Sequence, residues 1–304
     1  MRKNIVVFGS FVVDLMGRTP HFPAAGETVI GTGFQLGPGG KGFNQAVAAH
    51  KAGASVRMVT KVGNDTFAGV LRDTMASLRM DDSAVLTDAS ASTGAALIMV
   101  SEQTGQNEIV VVPGSCMTIT DEEVDTIRPL MQSGGIFLTQ LETNLSATLR
   151  AMRIAKECGM QIVLNTAPVQ TLSDEVYALS DLITPNEVEA AHLSGIEITD
   201  EDAAVRAAEF FMEKGVKTVL ITLGTRGSFV HDGTRHAIIP ARKVQAVDTT
   251  GAGDAFNGGL VAALSEGKDL WEAVRFATAL ASLSVQRYGT TNSMPTRAEI
   301  DAVL

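Results

Sequence analysis

Cysteine is scarce in this sequence, and long apolar runs are missing. Cys116 and Cys158 are the only cysteines among 304 residues and form no CxxC pair, so neither a disulfide framework nor a zinc finger is expected. No apolar run approaches the ~18 residues of a membrane-spanning helix. The apolar stretch Ile5–Phe8 near the start is too short for a signal peptide. We therefore expect a cytoplasmic protein with no membrane partner.

Basic residues are the minority charge. The 24 lysines and arginines face 34 aspartates and glutamates, which gives a net charge of −10. This balance disfavours a nucleic-acid partner or an anionic membrane surface. The hydrophobic share of 45% and the charged share of 19% are globular values and exclude wholesale disorder. The length predicts one large domain over 1–304, or a core with an insert.

Several familiar catalytic motifs are also absent. The sequence has no HExxH and no GxSxG, and its histidines show no metal-ligand spacing. A Walker A motif fails because Gln35 stands at its first glycine and Gly42 at its Ser/Thr position. Residues 37–42 match GxGxxG by letter but follow a strand outside any βαβ unit, so a dinucleotide site is not expected.

Apolar runs of strand length alternate with helical patterns through most of the chain. The predicted strands are Ile5–Phe8, 56–62, 136–138, 162–164 and 216–220. The predicted helices are 44–52, 67–78, 147–158, 205–214, 254–264, 270–284 and 298–303. This order predicts an α/β fold with a doubly wound, mostly parallel sheet and helices on both faces.

Two stretches break this alternation. Residues 28–36 and 95–112 have strand patterns with glycine-rich turns and no helix between strands. Within the second, 95–100 and 109–112 flank the turn residues 104–107, which is typical of a hairpin. Strands outside the helix-covered sheet must bury a face elsewhere, so we expect a small antiparallel lid or a dimer interface.

A glycine-rich turn precedes the first long helix. Gly40 and Gly42 let the backbone approach a ligand closely, while Lys41 supplies a cation and Asn44 both a donor and an acceptor. The helix start adds unpaired N–H groups. This set suits a polyhydroxylated or phosphorylated small molecule, and an ordinary turn before a helix is the alternative.

A second loop of small residues, 248–254, leads from a strand into a helix. Successive N–H groups at such a helix start can form an anion hole for a transferring phosphoryl group. The carboxylate of Asp254 would repel a bound phosphate, but it is well placed to take a proton from a hydroxyl that attacks phosphorus. The alternative is an acidic residue that only favours the helix dipole.

Together these two loops resemble those of the ribokinase family of carbohydrate kinases, which includes fructokinases and adenosine kinases. The resemblance runs nearly end to end and in the family's order. It is carried by 9–10 with Asp14, 39–44, 61–65, 140–142, 165–168, 184–187, 222–227, 248–254 and 289–295. It implies an ATP-dependent kinase for the primary 5-hydroxyl of a pentose, first of all D-ribose. The alternatives are 2-deoxyribose, another small sugar or a nucleoside, and a non-catalytic sugar-binding regulator.

The resemblance also assigns roles to individual residues. Asp254 would be the general base, beside an anion hole of Gly251, Ala252 and Gly253. The sugar would be held by Asp14, Gly40, Lys41, Gly42, Asn44 and Glu142, with Val12 beside them. ATP, with Mg²⁺ bridging its phosphates, would lie against Asn186, Thr222, Gly224, Arg226, Gly227 and Gly253. A K⁺ site would be formed by Asp248, Thr250, Ser284, Arg287, Gly289 and Ser293.

The family's fold implies a lid formed by about 14–38 and 93–113, which often pairs with a second lid in a homodimer. Three positions depart from the family's pattern. Val12 stands where ribokinases usually carry an asparagine, Cys116 replaces the asparagine of a Gly-Ala-Asn segment, and Thr278 replaces a polar residue near the adenine. Of these, Val12 bears on the choice of sugar.

Overall fold

A computed structural model describes residues 3–304. Met1 and Arg2, at the start of the domain predicted over 1–304, lie outside the described residues. Apolar and β-branched segments form most of the strands, which are β1 Ile5–Phe8, β2 Val12–Thr19, β3 Gly33–Gly39, β4 Val56–Gly63, β5 Val85–Asp88, β6 Thr93–Ser101, β7 Asn107–Gly114, β8 Ile136–Thr139, β9 Gln161–Leu164, β10 Leu182–Ile183, β11 Thr218–Thr222, β12 Ser228–His231 and β13 His236–Ile239.

The helices mostly connect successive strands. They are α1 Lys41–Lys51, α2 Thr66–Leu78, α3 Asp121–Thr126, α4 Leu145–Glu157, α5 Asp174–Leu179, α6 Glu187–Ser194, α7 Glu201–Glu213, α8 Ala252–Ser265, α9 Leu270–Ser284 and α10 Arg297–Asp301. Several begin at a side chain that caps the first turn, such as Asp65 before α2 and Asp200 before α7.

The main sheet has nine strands within the described range, in the order β13-β12-β11-β10-β9-β8-β1-β4-β5. Seven of them are parallel, and β12 and β13 add an antiparallel edge. In β1, Ile5 and Val7 face one apolar cluster, while Val6 and Phe8 face the other. Because both faces of the sheet are buried under helices, the predicted doubly wound α/β fold is confirmed.

A second sheet of four strands lies outside this core, in the order β3-β2-β6-β7. Its hairpin β6–β7 agrees with the predicted hairpin. The strand predicted over 28–36 is wrong in its first part, because residues 28–32 are not in a strand and β3 begins at Gly33. The reason is pairing: β2 ends at Thr19, so beyond the bond from the Thr32 N–H to the Arg18 carbonyl the residues 28–31 have no partner strand.

The antiparallel edge of the main sheet was not predicted. Its strands β12 and β13 have four residues each and are joined by a tight turn at Asp232. Helix α1 also begins earlier than predicted, at Lys41 rather than at residue 44. The glycines that argue against a helix start here are tolerated because the turn packs closely on other backbone.

Candidate active site

The first turn of α1 lies directly on the loop that follows β1. A Cβ atom added to Gly42 would lie 2.6 Å from the backbone of Gly9 and Ser10, so only glycine fits this contact. The Phe43 N–H donates to the Ser10 carbonyl at 3.0 Å, and Gly40 caps the helix with a φ of 89°. These contacts place Lys41, Asn44 and the ends of β1 and β2 around one site.

Glu142 follows β8 and is tied to the same turn. Its Oε2 accepts from the Ser10 hydroxyl at 2.5 Å and from the Lys41 N–H at 2.9 Å. No donor within residues 3–304 lies at bonding distance from its Oε1. A carboxylate held through one oxygen can accept a ligand hydroxyl with the other.

Asp254 is the third residue of α8 and is 7% exposed. Its two oxygens accept from the side-chain amides of Asn44 at 3.0 Å and Gln45 at 2.9 Å. Burial raises the pKa of Asp254 above its ordinary value, and the charge of Lys41 and the two amide bonds oppose this rise. A buried carboxylate with a raised pKa is suited to general-base catalysis.

Asp14 and Lys41 add two further charges to the site. Burial, together with the nearby charges of Glu142 and Asp254, raises the pKa of Asp14 to about 6. Burial alone would lower the pKa of Lys41, but the surrounding carboxylates, Asp254 first, raise it above its ordinary value. Lys41 therefore stays a cation among acids, which favours binding of an oxygen-rich ligand.

The loop before α8 presents main-chain N–H groups. Gly251 has a φ of 75°, in the left-handed region that favours glycine, and it precedes the helix as its N-cap. The Ala252 N–H donates to the Thr249 carbonyl at 3.2 Å. For the Gly251 and Gly253 N–H groups, no acceptor within the described part of the chain lies at bonding distance. These two amides are therefore available to an anion at the helix start.

The residues expected to hold the nucleotide lie at the ends of β10 and β11. Asn186 caps α6 and forms a parallel β-bridge with Thr222. Arg226 is paired with Glu187, and Gly227 passes so close to the Ile239 carbonyl that a Cβ there would lie 2.0 Å from its oxygen. Gly224 begins the short turn that contains Arg226. Thr184, two residues before Asn186, contacts α8 through its hydroxyl, which donates to the Asn257 side chain at 2.6 Å.

Asp248 joins the loop before α8 to the loop after α9. Its carboxylate accepts from the Thr250 N–H at 2.9 Å and from the Gly289 N–H at 3.0 Å. The other residues predicted to hold K⁺ bond their near neighbours in the chain. The Arg287 N–H donates to the Ser284 carbonyl at 3.1 Å, and the Ser293 hydroxyl donates to the Thr290 carbonyl at 2.7 Å.

Asp248 is the only carboxylate among the residues predicted to hold K⁺. Within residues 3–304 no group of three or more His, Cys, Asp or Glu side chains could hold a metal ion. The K⁺ site around Asp248 stays a prediction.

A cavity of about 500 Å³ separates the second sheet from the two loops joined by Asp248. Asp14, Met16 and Ile98 line it on the side of the sheet, and Asp248 and Thr291 line it opposite. This volume is sufficient for a small-molecule ligand.

The three departures take different places in the structure. Val12 is 5% exposed, shares a face of β2 with Asp14, and contacts Gly94 of β6. Cys116 bonds the backbone of Phe11 through its sulfur, at 3.4 Å to the N–H and 3.3 Å to the carbonyl. The Thr278 hydroxyl donates to Val274 within its own helix.

Sequence reasoning missed the polar side chains beneath Asp254. Gln45 and Gln140 are fully buried, and Asn165 is 7% exposed. Gln45 directly follows the predicted ligand Asn44 in an otherwise apolar helix, and this is the signal that could have indicated it.

Known proteins are similar over the whole chain. A sequence model of pfkB family carbohydrate kinases matches residues 2–297. The chain is 43% identical to ribokinase of Haemophilus influenzae, over 98% of this chain and 97% of that one. It is 33% identical to deoxyribokinase of Salmonella typhi, over 99% and 98%. The structure of Arabidopsis thaliana ribokinase complexed with ribose and ATP matches with a TM-score of 0.92 at 30% identity, over 100% and 99%.

The family match spans almost the entire chain, and the structural similarity covers both sheets. Two of the segments that carried the resemblance, 39–44 and 289–295, are linked to Asp254 through Asn44, which donates to Asp254 and accepts from the Thr291 hydroxyl. The helices of the structure include none long and apolar enough to cross a membrane within the described range. The chain belongs to the pfkB family of carbohydrate kinases.

Proposed function

We propose that this carbohydrate kinase transfers the γ-phosphoryl group of ATP to the primary 5-hydroxyl of a pentose, with D-ribose as the first candidate. The observation that carries the proposal is the placement of Asp254. Its carboxylate is buried, is held by Asn44 and Gln45, and lies one residue from the unpaired amide of Gly253. A base on the nucleophile beside an amide cradle for the phosphoryl group is the arrangement that phosphoryl transfer requires.

In the proposed reaction Asp254 takes the proton of the sugar 5-hydroxyl while the oxygen of that hydroxyl bonds the γ-phosphorus. The bond between the γ-phosphorus and the bridging oxygen breaks, and ADP leaves with that oxygen. The N–H groups of Gly251 and Gly253 stabilise the charge on the transferring group, and that of Ala252 joins them if its bond to Thr249 opens. Asp14, Lys41, Asn44 and Glu142 orient the sugar through its other hydroxyls, with Gly40 and Gly42 allowing close approach.

ATP is proposed to lie along the group that ends β10 and β11, with its γ-phosphoryl group directed to the start of α8. Asn186, Thr222, Gly224, Arg226 and Gly227 would contact it. Bound Mg²⁺ would neutralise charge on the phosphates. K⁺ would bind beside Asp248, with Thr250, Ser284, Arg287, Gly289 and Ser293, and would supply a fixed positive charge next to the amide loop. Because ATP is the donor, we place the reaction in the cytoplasm.

A second candidate substrate, 2-deoxyribose, is favoured by Val12. This side chain shares a face with Asp14 but offers no donor or acceptor to a sugar hydroxyl. An unpartnered buried hydroxyl costs about 1–3 kcal/mol, and a sugar without that hydroxyl avoids the penalty. The deoxyribokinase among the relatives is consistent with this candidate.

We further propose that the chain is one domain over 1–304 whose segments 14–38 and 93–113 act as a lid over the cavity. The outer face of this lid exposes Phe34 (74%), Leu97 (50%) and Val110 (60%). An exposed face that carries several large apolar side chains favours pairing with a second copy of the chain, lid to lid. Light scattering on Leu97→Glu and on wild type tests the homodimer, and a wild-type monomer at micromolar concentration would contradict it.

ADP release with a panel of sugars and nucleosides tests the proposed function. We expect turnover with ribose or 2-deoxyribose well above the ATPase background. Binding of ribose in a thermal-shift assay without turnover of any member of the panel would instead indicate a sugar-binding regulator.

A further inference from the structure

Gln45, in the first half of α1, contacts the Asp254 carboxylate from within the buried core. Its Nε2 donates to Asp254 Oδ1 at 2.9 Å and to Asn165 Oδ1 at 3.0 Å, and its Oε1 accepts from Gln140 Nε2 at 2.7 Å. All of its polar atoms are thus engaged, and the side chain is fully buried. A buried amide bonded in this way has one orientation only.

The direction of each bond in this cluster is fixed by its two ends. Asn165 Nδ2 donates to the Thr184 carbonyl at 3.0 Å, and a carbonyl can only accept. The Asn165 oxygen therefore faces Gln45, which must present its NH₂ group to Asn165 and to Asp254. The Gln45 oxygen consequently faces Gln140, which must donate.

Gln140 is fully buried and bonds Gln45 through its amide nitrogen. Its Oε1 is buried and has no donor within the described residues. A Cβ atom added to Gly9 would lie only 2.1 Å from this oxygen. A buried amide oxygen without a partner is unfavourable. The Gln140 amide is held in this orientation by the bond from its Nε2 to Gln45 Oε1.

We propose that Gln45 is a positioning residue that fixes the orientation of the Asp254 carboxylate and favours its ionised form, and that Gln140 in turn fixes Gln45. The proposal rests on the proposed function, in which Asp254 is the base. An ionised carboxylate accepts strongly through both of its oxygens, whereas a protonated carboxyl group carries a proton on one of them. The fixed NH₂ group of Gln45 therefore favours the ionised form of Asp254.

Other groups act on Asp254 as well. Lys41 faces it from α1, while Asp14 from β2 and Glu142 from the end of β8 add negative charge. Within residues 3–304, only Asn44 and Gln45 donate directly to its oxygens with their side chains. Asn44 is also expected to contact the sugar, whereas Gln45 is buried away from it. The effect of Gln45 is therefore expected in kcat and in its pH dependence, with little effect on KM.

The variant Gln45→Met tests this with little change in volume. Loss of a hydrogen bond to the charged form raises the pKa of Asp254, so the acid limb of the kcat profile is expected to move up by about one pH unit. The sugar KM is expected to stay within about threefold. Gln170→Met is the matched control, since Gln170 donates to the nearby Leu141 carbonyl but does not touch Asp254.

A second measurement keeps the test independent of turnover and of a single variant. Carboxyl-carbon NMR of the ligand-free protein follows the titration of Asp254, whose signal is identified by its loss in Asp254→Asn. Gln45→Met and Gln140→Met are both expected to move this titration to higher pH, the second by less. If Gln45→Met does not fold, Gln140→Met alone decides.

The two proposals fail in different ways. An Asp254 titration that is unchanged in the folded variants would overturn the role of Gln45, even if ribose is phosphorylated. A titration that moves as expected while no sugar is phosphorylated would support the positioning by Gln45 and contradict the proposed function.

Discussion

Gly258 of α8 lies directly against Ala48 of α1. A Cβ added to Gly258 would be 2.4 Å from the Ala48 Cβ and 2.6 Å from the Gln45 carbonyl oxygen. The two helices therefore approach more closely than any larger residue at this position permits. This close approach brings Asn44 and Gln45 of one helix within hydrogen-bond distance of Asp254 on the other.

Gly258→Ala is expected to separate these helices. Overpacking of this kind lowers the free energy of unfolding by about 1–3 kcal/mol, and the displaced Asp254 should lower kcat more than it changes KM. The matched control is Gly69→Ala in α2, where an added Cβ meets nothing within 4 Å and helix propensity predicts a gain of about 0.5–1 kcal/mol. Denaturant unfolding and steady-state kinetics measure both. Equal stability and equal kcat in the two variants would contradict this account.

Asp14→Asn is expected to stabilise the protein at neutral and alkaline pH. The folded-state pKa of Asp14 is about 6 against an ordinary 3.8, so the folded state binds this proton more tightly and wild type loses stability as pH rises through about 6. Asparagine cannot ionise and avoids the loss, which amounts to about 1–3 kcal/mol.

Thermal unfolding of wild type and Asp14→Asn at pH 5 and pH 8 measures this difference. The Tm of Asp14→Asn is expected to exceed that of wild type by more at pH 8 than at pH 5. Sugar binding by the variant is expected to be weaker than by wild type. Asp73→Asn, an exposed position on α2, serves as control. A gap that does not grow with pH would show that burial of the Asp14 charge does not destabilise the fold.

Five of the nine main-sheet strands in the described residues could be predicted, because each of the five is a local apolar run. In β1 and β4 nearly every residue is buried, and such runs are visible without knowledge of the partner strand. The pairing of β2 with β6 could not be predicted, since it joins segments about 80 positions apart in parallel. The edge strands β12 and β13 were missed because polar residues, Ser228 and the histidines at 231 and 236, leave only two or three apolar residues in each, and β13 is partly exposed.

The candidate site, like the fold, could be predicted from the sequence only in part. The glycine turn at Gly40 and the acid at Asp254 have local signatures, because glycine and a helix-start carboxylate stand out from their neighbours. Gln45 has only a weak signature, as a polar residue in the apolar helix α1, and Gln140 directly after β8 has none, since the roles of both depend on partners 95–209 positions away. Such residues become meaningful only when the fold brings them together.

Turnover is expected to rise with K⁺ and much less with Na⁺. Asp248 bonds the amides of Thr250 and Gly289 and so joins the loop that holds Gly251 to the loop after α9. A cation bound there would order the amide loop. Rates in potassium and sodium buffers at one ionic strength measure this, and Asp248→Asn is expected to remove the difference. Equal wild-type rates in the two buffers would exclude the proposed site.

Val12→Asn is expected to favour ribose over 2-deoxyribose. An asparagine beside Asp14 can bond the 2-hydroxyl, so the ratio of kcat/KM for the two sugars should rise by about 10–100-fold. Val12→Ala controls for packing against Gly94, because it changes volume without adding a donor. If wild type already prefers ribose by more than about 100-fold and Val12→Asn does not widen that preference, Val12 does not set the choice of sugar.

The central claim is that Asp254 is the base, and the direct measurement is kcat of Asp254→Asn with ribose and with 2-deoxyribose. Asparagine keeps the shape of the side chain and its place at the start of α8 but cannot take a proton. We expect kcat to fall by about 10²–10⁴-fold while the fold and ATP binding, followed by thermal shift, are retained. A variant that keeps more than about a tenth of wild-type kcat would show that Asp254 only stabilises the helix start, and the account would be contradicted.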